Sequence, residues 1–465
     1  MYRKLLLVIM GLSLCACPRP QQYSAPQPPI PNQWPERVDQ AEVPGAPSVV
    51  EVGWREFFAD ARLQSVIEMA LENNRDLRMA ALNVERVEGF YRIQRAERYP
   101  GVNVGTGAQT YRLPEKMSPT GQAQTVEQYD VNLGVVSWEL DLFGRVRSLT
   151  SAALEEYLAT RQAQAATKIA LVAAVANSYL ALAADREQLE LAKATLETQQ
   201  QSYEMIKRSC EVGIGNDLDL RQAESQVEAA RVDIARYTSK VALDENALNL
   251  LIGAPVPAHL LPENLASVAN LKDVSAGLPS EALLNRPDIL LAEHQLKAAY
   301  ANIDAARANF FPRISLTGGG GIMSSALSDL FKVGSGTWNF VPQLVLPIFD
   351  SGAREASYRV AEVNRDFAVA EYERAIQSAF REVSDALALR SKLLEQMNAQ
   401  ESLVHSLRET YRLSEARYNA GIDSYLGVLV AQRSLYAAQQ GLVSVNLARL
   451  SNLVNLYKVL GGGVD

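Results

Sequence analysis

The chain has 465 residues, of which 48% are hydrophobic and 21% are charged, and its formal net charge is −8. This hydrophobic content is too high for a mostly disordered protein, and the negative charge argues against nucleic-acid binding. No uncharged apolar run of 18 residues follows the first few residues, so we predict no membrane-spanning helix in the body of the chain. The most apolar stretch, Ile169–Ala184, is interpreted as a packed helix face.

The first 16 residues have the pattern of an export signal. Arg3 and Lys4 precede a short apolar stretch that is too short to span a membrane and is followed by "LCAC". A small residue directly before a cysteine is typical of lipoprotein cleavage, so we predict a signal peptide over residues 1–16 and attachment of lipid, including palmitate, at Cys17. Pro18, in place of an aspartate, permits sorting to the outer membrane. Ordinary signal-peptidase cleavage nearby is the alternative.

Residues 17–60 are predicted to form an extended, lipid-anchored segment. Nine of the 20 prolines lie between residues 18 and 47, and proline-rich chains have little regular structure. After removal of the signal only Cys17 and Cys210 remain. With Cys17 acylated, Cys210 is predicted to be a free thiol and no intrachain disulfide is expected, despite an oxidising compartment.

The rest of the chain is an internal duplication. "RAERYPGVNVGTG" parallels "RANFFPRISLTGG", and "VGIGNDLDLRQAESQV" parallels "AGIDSYLGVLVAQRSL". Pro100 matches Pro312 and Gly213 matches Gly421, so the first copy is four residues longer between these points, and we place the difference in a longer loop between its strands. Two long copies predict one duplicated structural unit. The predicted divisions of the chain are residues 1–16, 17–60, 61–285 and 286–465.

Each repeat is predicted to begin with a helix and to end with two long helices. The first helix of each repeat ends before a proline, and each long helix that follows lacks Gly and Pro over about 100 Å at 1.5 Å per residue. Gly213 and Gly421 end these long helices, and Asp217 and Ser424 are expected to cap the next ones. The predicted helices are Ala61–Tyr99, Arg145–Val212, Asp217–Ile252, Arg286–Phe311, Arg354–Ala420 and Ser424–Leu460.

Two strands are predicted between the helices of each repeat. Apolar and polar residues alternate from Asp130 to Val135, and again in the stretch "TWNFVPQLVLPIF" of the second repeat. The alternation changes parity at Trp138, which predicts a bulge or the end of the strand. Four strands cannot close a barrel in lipid without leaving open edges, and single-chain outer-membrane barrels begin at eight strands. If these strands span the outer membrane, several chains must share one barrel, and the helices then continue from it as a hollow bundle across the periplasm.

"NRPDILLAEHQLKAAYANIDAARANFFPRISLTGG", "ARYNAGIDSYLGVLVAQRSLYAAQQ" and "VNLYKVLGGG" resemble segments of the TolC-type outer-membrane efflux proteins, in the OprM-like, NodT-type lipoprotein branch. The resemblance covers essentially the whole chain in the same order. It implies a mostly α fold with membrane β-strands, in which a homotrimer forms a 12-stranded outer-membrane β-barrel that continues into a long periplasmic α-helical barrel. It also implies a periplasmic adaptor and an inner-membrane pump, commonly of the RND type, with the channel itself passive.

The tips of the paired long helices are the candidate functional sites. In the family that this chain resembles, the tips close the periplasmic end and dock the adaptor. Acids beside the tip glycines would form rings in an oligomer, and a narrow acidic ring favours cations. Asp423 is predicted to lie near the narrowest point, whereas the alternative for Asp217 is a helix cap alone. The predicted tip residues are Gly213, Asp217, Asp219, Gly421, Asp423 and Ser424.

No enzymatic motif accompanies these features. His259, His294 and His405 are scattered without metal-ligand spacing, and the chain has no Walker motif, no dinucleotide fingerprint and no Gly-x-Ser-x-Gly. We therefore expect no enzyme activity, no cofactor and no metal site, and predict an exit duct for drugs or other small molecules. A type I protein secretion duct of the same family and a periplasm-spanning coiled-coil lipoprotein are the alternatives.

Overall fold

Helices and strands recur in the same order in the two halves of the chain. The structure is a computed structural model that describes residues 23–24, 26–31, 34, 52–272 and 283–462. The first half contains α1 (Trp54–Phe57), α2 (Ala61–Asn73), α3 (Arg75–Ala96), β1 (Val102–Leu113), β2 (Gln124–Glu139), α4 (Arg145–Glu211) and α5 (Asp217–Ile252). The second half contains α6 (Pro287–Ala308), β3 (Arg313–Ser324), β4 (Gly336–Val345), α7 (Ala353–Asn419) and α8 (Tyr425–Val459).

The long helices α4, α5, α7 and α8 match their predictions to within one residue at each end. The predicted helix Ala61–Tyr99 is wrong as a single element, because the structure divides it into α2 and α3 at Asn74. The side chain of Asn74 accepts a hydrogen bond from the backbone N–H of Leu77 at 2.8 Å and donates one to the carbonyl of Leu251 at 2.7 Å. A side chain that satisfies the first amides of a helix favours a new helix start at that point.

Each strand pair enters its long helix through an aspartate. Asp141 accepts hydrogen bonds from the backbone N–H groups of Val146 and Arg147 at 3.0 and 2.8 Å. Asp350 accepts the equivalent bond from Arg354 at 3.1 Å, and the Arg354 side chain holds the pKa of Asp350 below its usual value. The amides at a helix start lack partners within the helix, and a carboxylate there also complements the helix dipole.

The four strands form one antiparallel sheet in the order β1-β2-β3-β4. The predicted bulge is confirmed, because the register between β2 and β3 shifts between Val135 and Trp138, and Ser137 has a φ of 54°. The predicted longer loop in the first repeat is wrong: the two strand loops, residues 114–123 and 325–335, are nearly equal. The extra length instead lies in β2, which has 16 residues where β4 has 10.

The chain divides into two compact units, and each takes segments from both halves of the sequence. The first comprises the described parts of residues 1–27, 83–161 and 291–372 and contains the sheet. The second comprises the described parts of residues 28–82, 162–290 and 373–465. A core of aromatic rings lies in the second unit, where Phe57 stacks on Tyr457 at 4.1 Å and the Tyr457 hydroxyl donates to the carbonyl of Val52 at 2.8 Å.

The most apolar stretch of α4 packs within the second unit. Helix α4 contains a segment long and apolar enough to cross a membrane, by length and composition, but half of that segment is buried by the rest of the chain. Val172, Val175 and Leu182 are buried, and the hydroxyl of the buried Tyr179 donates a hydrogen bond to the carbonyl of Leu260 at 2.7 Å. Intramolecular packing therefore accounts for this stretch, as the sequence predicted.

Candidate functional site

The sheet has two chemically different faces. One row across the four strands joins Val104, Leu133, Gly320 and Trp338, and the next joins Gly105, Asn132, Gly321 and Thr337. Successive residues of a strand point to opposite faces, so the first row belongs to one face and the second to the other. The apolar face is exposed, with Trp338 at 81% and Val104 at 74%. The polar face also carries Asn103, Asp130 and Asn339, which follow the same alternation.

Glycines on the polar face allow the strands to approach closely. A Cβ atom at Gly321 would lie 2.1 Å from the carbonyl oxygen of Val131, a distance that no side chain can occupy. A Cβ atom at Gly320, on the apolar face, would have the Thr337 carbonyl oxygen 3.7 Å away, which is an ordinary contact. Within "GGGG", a side chain is therefore excluded at Gly321 and also meets the opposing backbone at Gly319, 2.9 Å from the Leu133 carbonyl oxygen, whereas Gly320 has room for one.

The tips of both helix pairs have the same backbone geometry. Gly213 and Gly421 have φ values of 79° and 71°, in the left-handed region that favours glycine. In the second tip, the N–H of Gly421 donates to the carbonyl of Tyr418 and the N–H of Ile422 donates to that of Arg417. The first tip has the same pair of bonds, which together form a Schellman motif. The structure thus has both glycines in the helix-ending positions predicted for them.

The acids at the tips do not all have the surroundings predicted from the sequence. The cap of α5 is Asn216, whose side chain accepts from the N–H of Leu218 at 3.0 Å, so the prediction that Asp217 is the cap was wrong. Asp217 and Asp219 lie in the first turn of α5, where the helix dipole favours negative charge. Ser424 occupies the cap position of α8, but its side chain makes no capping hydrogen bond.

Asp423 is paired with an arginine of its own chain. Two nitrogens of Arg417 contact the two carboxylate oxygens of Asp423, at 2.5 and 3.1 Å. The Arg417 side chain lowers the pKa of Asp423, so this carboxylate is ionised at neutral pH. The pair closes the second tip turn and carries no net charge, which differs from the bare acidic ring expected from the sequence. Sequence reasoning missed Arg417, although its spacing of six residues from Asp423 across a glycine turn was available.

A cluster of apolar and aromatic side chains joins the two tips. Ile206 and Ala223 of the first tip pack with Tyr425, Val428 and Leu429 of the second, and all five side chains are buried. Partly buried side chains surround this core, and Tyr418 meets Tyr425 edge to face at 5.3 Å. The surrounding side chains are Tyr203, Cys210, Leu220, Tyr411 and Tyr418. The two helix pairs therefore end in one packed unit.

Beyond this cluster the tips expose apolar side chains. Ile214 is 82% exposed, and apolar residues on both tips share this exposure. Cys210 is a free thiol whose Sγ lies 3.5 Å from the carbonyl oxygen of Asn216. Within the described ranges, no group of three or more His, Cys, Asp or Glu side chains could hold a metal ion. The predicted lipid site, Cys17, lies outside the described residues. The exposed apolar tip residues are Val212, Ile214, Leu218, Ile422 and Leu426.

Comparisons with known proteins agree with this architecture. The family model "Outer membrane efflux protein" matches residues 66–254 and 278–462. The antibiotic efflux pump outer membrane protein ArpC of Pseudomonas putida is 47% identical over 98% of this chain and 95% of its own length. The toluene efflux pump outer membrane protein TtgC, also from Pseudomonas putida, is 47% identical as well, with the same coverage.

A solved structure has the same fold. The open state of the Neisseria gonorrhoeae MtrE outer membrane channel is 38% identical, has a TM-score of 0.87, and the match covers 97% of this chain and 99% of that one. The predicted fold class, a mostly helical, internally duplicated chain with membrane β-strands, and the outer-membrane location are confirmed. The chain therefore belongs to the outer membrane efflux protein family and is an outer-membrane efflux channel component.

Proposed function

We propose that three copies of this chain form one exit duct that passively carries small molecules across the outer membrane. The observation that carries the proposal is the sheet of four strands, in which β1 and β4 each have a partner on one side only among the described residues. An open strand edge in lipid leaves backbone donors and acceptors unsatisfied. Pairing of β4 with β1 of the next copy satisfies both edges, and three copies give 12 strands.

The two faces of the sheet suit such a barrel. The apolar face, with Trp338 and Val104 exposed, contacts lipid, and the polar face, with Asn132 and Thr337, lines water. The helices α4, α5, α7 and α8 continue into the periplasm and form the α-helical part of the duct. Energy for transport comes from a separate inner-membrane pump, for which we infer the RND type.

The tips are the periplasmic gate and the docking surface for an adaptor protein. The exposed apolar side chains on both tips, Ile214 and Ile422 among them, give a partner apolar area to bury. The cluster around Tyr425 holds the tips together, so opening must rearrange or move this cluster as a unit. Gly213 and Gly421 set the turn that presents these side chains, and Asp217, Asp219 and Ser424 lie beside it.

Paired substitutions at the second tip test the gate. In planar bilayers, Asp423→Asn leaves Arg417 uncompensated and should lower the preference for cations, whereas Arg417→Gln leaves Asp423 uncompensated and should raise it. The opposite signs distinguish a charge effect from general damage to the tip. Glu228→Gln, at an exposed ion pair on α5, is the matched control. If neither tip variant changes selectivity or conductance, the Arg417–Asp423 pair lies outside the conducting path.

For the substrate, we infer small hydrophobic molecules, because the relatives ArpC and TtgC are described as antibiotic and toluene efflux proteins. The test removes the gene for this chain and measures accumulation of a fluorescent hydrophobic dye and survival in toluene. Accumulation should rise, and restoring the chain should reverse it only while the inner-membrane pump is active. If accumulation is unchanged and a secreted protein instead disappears from the medium, the type I secretion alternative is favoured.

Lipid attachment at Cys17 is the second membrane anchor of the proposed duct. The "LCAC" box after a short apolar stretch supports it. Mass spectrometry of the mature N-terminal peptide should find acyl chains on Cys17. A mature N-terminus at another residue, without acyl chains, would exclude the lipid anchor while leaving the barrel proposal intact.

A further inference from the structure

The N-terminal segment is seated on helix α6 through Tyr23. The Tyr23 hydroxyl donates a hydrogen bond to a carboxylate oxygen of Glu293 at 3.0 Å. The ammonium group of Lys297, which is paired with Glu293 at 2.8 Å, lies 5.1 Å from the centre of the Tyr23 ring. The ring of Tyr300 meets that of Tyr23 edge to face at 5.8 Å. Three side chains of one helix face therefore hold a single tyrosine by three different interactions.

The Tyr23 side chain is half-buried. Burial raises the pKa of the Tyr23 phenol, and the charge of Glu293 raises it further. The guanidinium of Arg365, on α7, lies 5.8 Å from the ring centre of Tyr300, the ring that packs against Tyr23. Tyr372, on the same helix, also adds to the raised pKa of Tyr23 and is itself buried. Tyr23 therefore packs against side chains of α6, close to side chains of α7.

The position of Tyr23 limits how far the proposed lipid can lie from the body of the protein. Tyr23 is six positions after Cys17 in the sequence, and a fully extended chain over that interval spans about 20 Å. Along α6, the rise from Tyr300, which also contacts the Tyr23 ring, to Ala308 is about 12 Å, and β3 starts shortly afterwards at Arg313. An extended tether of about 20 Å can thus reach past the end of α6 towards β3, whereas a tether of about 10 Å cannot reach the end of α6.

We propose that Tyr23 is a clamp that fixes the free length of the lipid tether, so that the acyl chains and the strands enter the same membrane at one level. The proposal rests on the proposed lipid attachment at Cys17. Tyr23 acts as a positioning residue, because it holds the segment while the lipid itself binds the membrane. The clamp makes membrane assembly sensitive to shortening of the chain between positions 17 and 23.

A change in tether length tests the clamp. Deletion of residues 20–22 keeps Cys17, Pro18 and Arg19 in place but halves the tether to about 10 Å. The deleted chain should either lose at least three-fold in native oligomer recovered from the outer membrane, or release Tyr23, so that its ring becomes accessible to hydroxyl-radical labelling. Adding Tyr23→Ala to the deletion frees the segment and should restore the oligomer to the level of Tyr23→Ala alone.

Two matched controls isolate the effect of length. Insertion of Gly-Ser-Gly after residue 22 should change neither readout. The same deletion in a chain with an ordinary cleavable signal and Cys17→Ser should also have no effect, because no lipid has to reach the membrane. If the deletion leaves both assembly and Tyr23 labelling as in the parent chain, or if Tyr23→Ala fails to restore assembly, the clamp is overturned. Mass spectrometry of the parent N-terminus separately reports whether Cys17 carries lipid.

Discussion

Replacement of Asp244 by Asn is predicted to stabilise the protein at pH 8 and to have no effect near pH 4. Asp244 lies on α5, half-buried beside Asp185 of α4, and Lys240, 3.4 Å from Asp185, partly offsets the two charges. Burial raises the pKa of Asp244 to about 6, and the neighbouring Asp185 charge adds to this effect. One oxygen of Asp244 is buried without a hydrogen-bond partner.

The sign and size of the effect follow from the raised pKa. A carboxyl whose folded pKa exceeds its unfolded value binds its proton more tightly in the folded state. Below pH 4, Asp244 therefore does not destabilise the folded protein. Its destabilising contribution to the free energy of folding grows as the pH rises and reaches its full value above pH 6. A rise of about two pKa units corresponds to a ceiling of about 3 kcal/mol. Partial contact with solvent screens the charge, so we expect about 1–2 kcal/mol at pH 8.

Thermal unfolding of the detergent-solubilised protein at pH 4 and pH 8 measures this effect. The Tm of Asp244→Asn should exceed that of the parent chain at pH 8, and the two should coincide at pH 4. Glu228→Gln, at an exposed pair with Arg231 on the same helix, should change the Tm little at either pH. Equal Tm values for Asp244→Asn and the parent chain at pH 8 would refute the reasoning about the acid pair.

Two further predictions concern the sheet and a buried charge. Gly321→Ala should destabilise the protein by about 1–3 kcal/mol and reduce the yield of folded protein, because its Cβ meets the opposing strand. Gly320→Ala should be tolerated. Equal yields of the two variants would contradict the close approach of the strands. Arg286→Leu should cost about 1–3 kcal/mol, because this buried arginine bonds a backbone carbonyl and the partly exposed carboxylates of Asp288 and Glu382. Thermal unfolding compares this variant with Arg231→Leu, at an exposed ion pair. A decrease in stability no larger than in that control would show that Arg286 is dispensable for the fold.

The long elements of the fold could be predicted from the sequence, because their signals are local. Helices α4 and α7 follow from stretches without Gly and Pro, and the bulge in β2 follows from the change of parity at Trp138. The break at Asn74 was missed because neither Gly nor Pro marks it, and its partner, the Leu251 carbonyl, is distant in sequence. The repeat offset gives the number of extra residues but not their position, so the length of β2 was underestimated.

The candidate site was predicted only in part. Glycines at the tips are recognisable because the backbone requires them, and Gly213 and Gly421 have the expected conformation. Adjacent polar residues can both cap a helix, so composition alone could not choose Asn216 over Asp217. The pairing of Arg417 with Asp423 is local and could have been inferred from their spacing across the glycine turn, whereas the burial of Tyr425 depends on how the two tips pack against each other.

The central physical claim is that β1 and β4 close against neighbouring copies of the chain, because four strands cannot satisfy their own edges in lipid. Native mass spectrometry of the detergent-solubilised protein tests this claim most directly. We predict a complex of three chains that stays intact until the sheet unfolds. A folded, stable monomer under the same conditions would contradict the shared barrel.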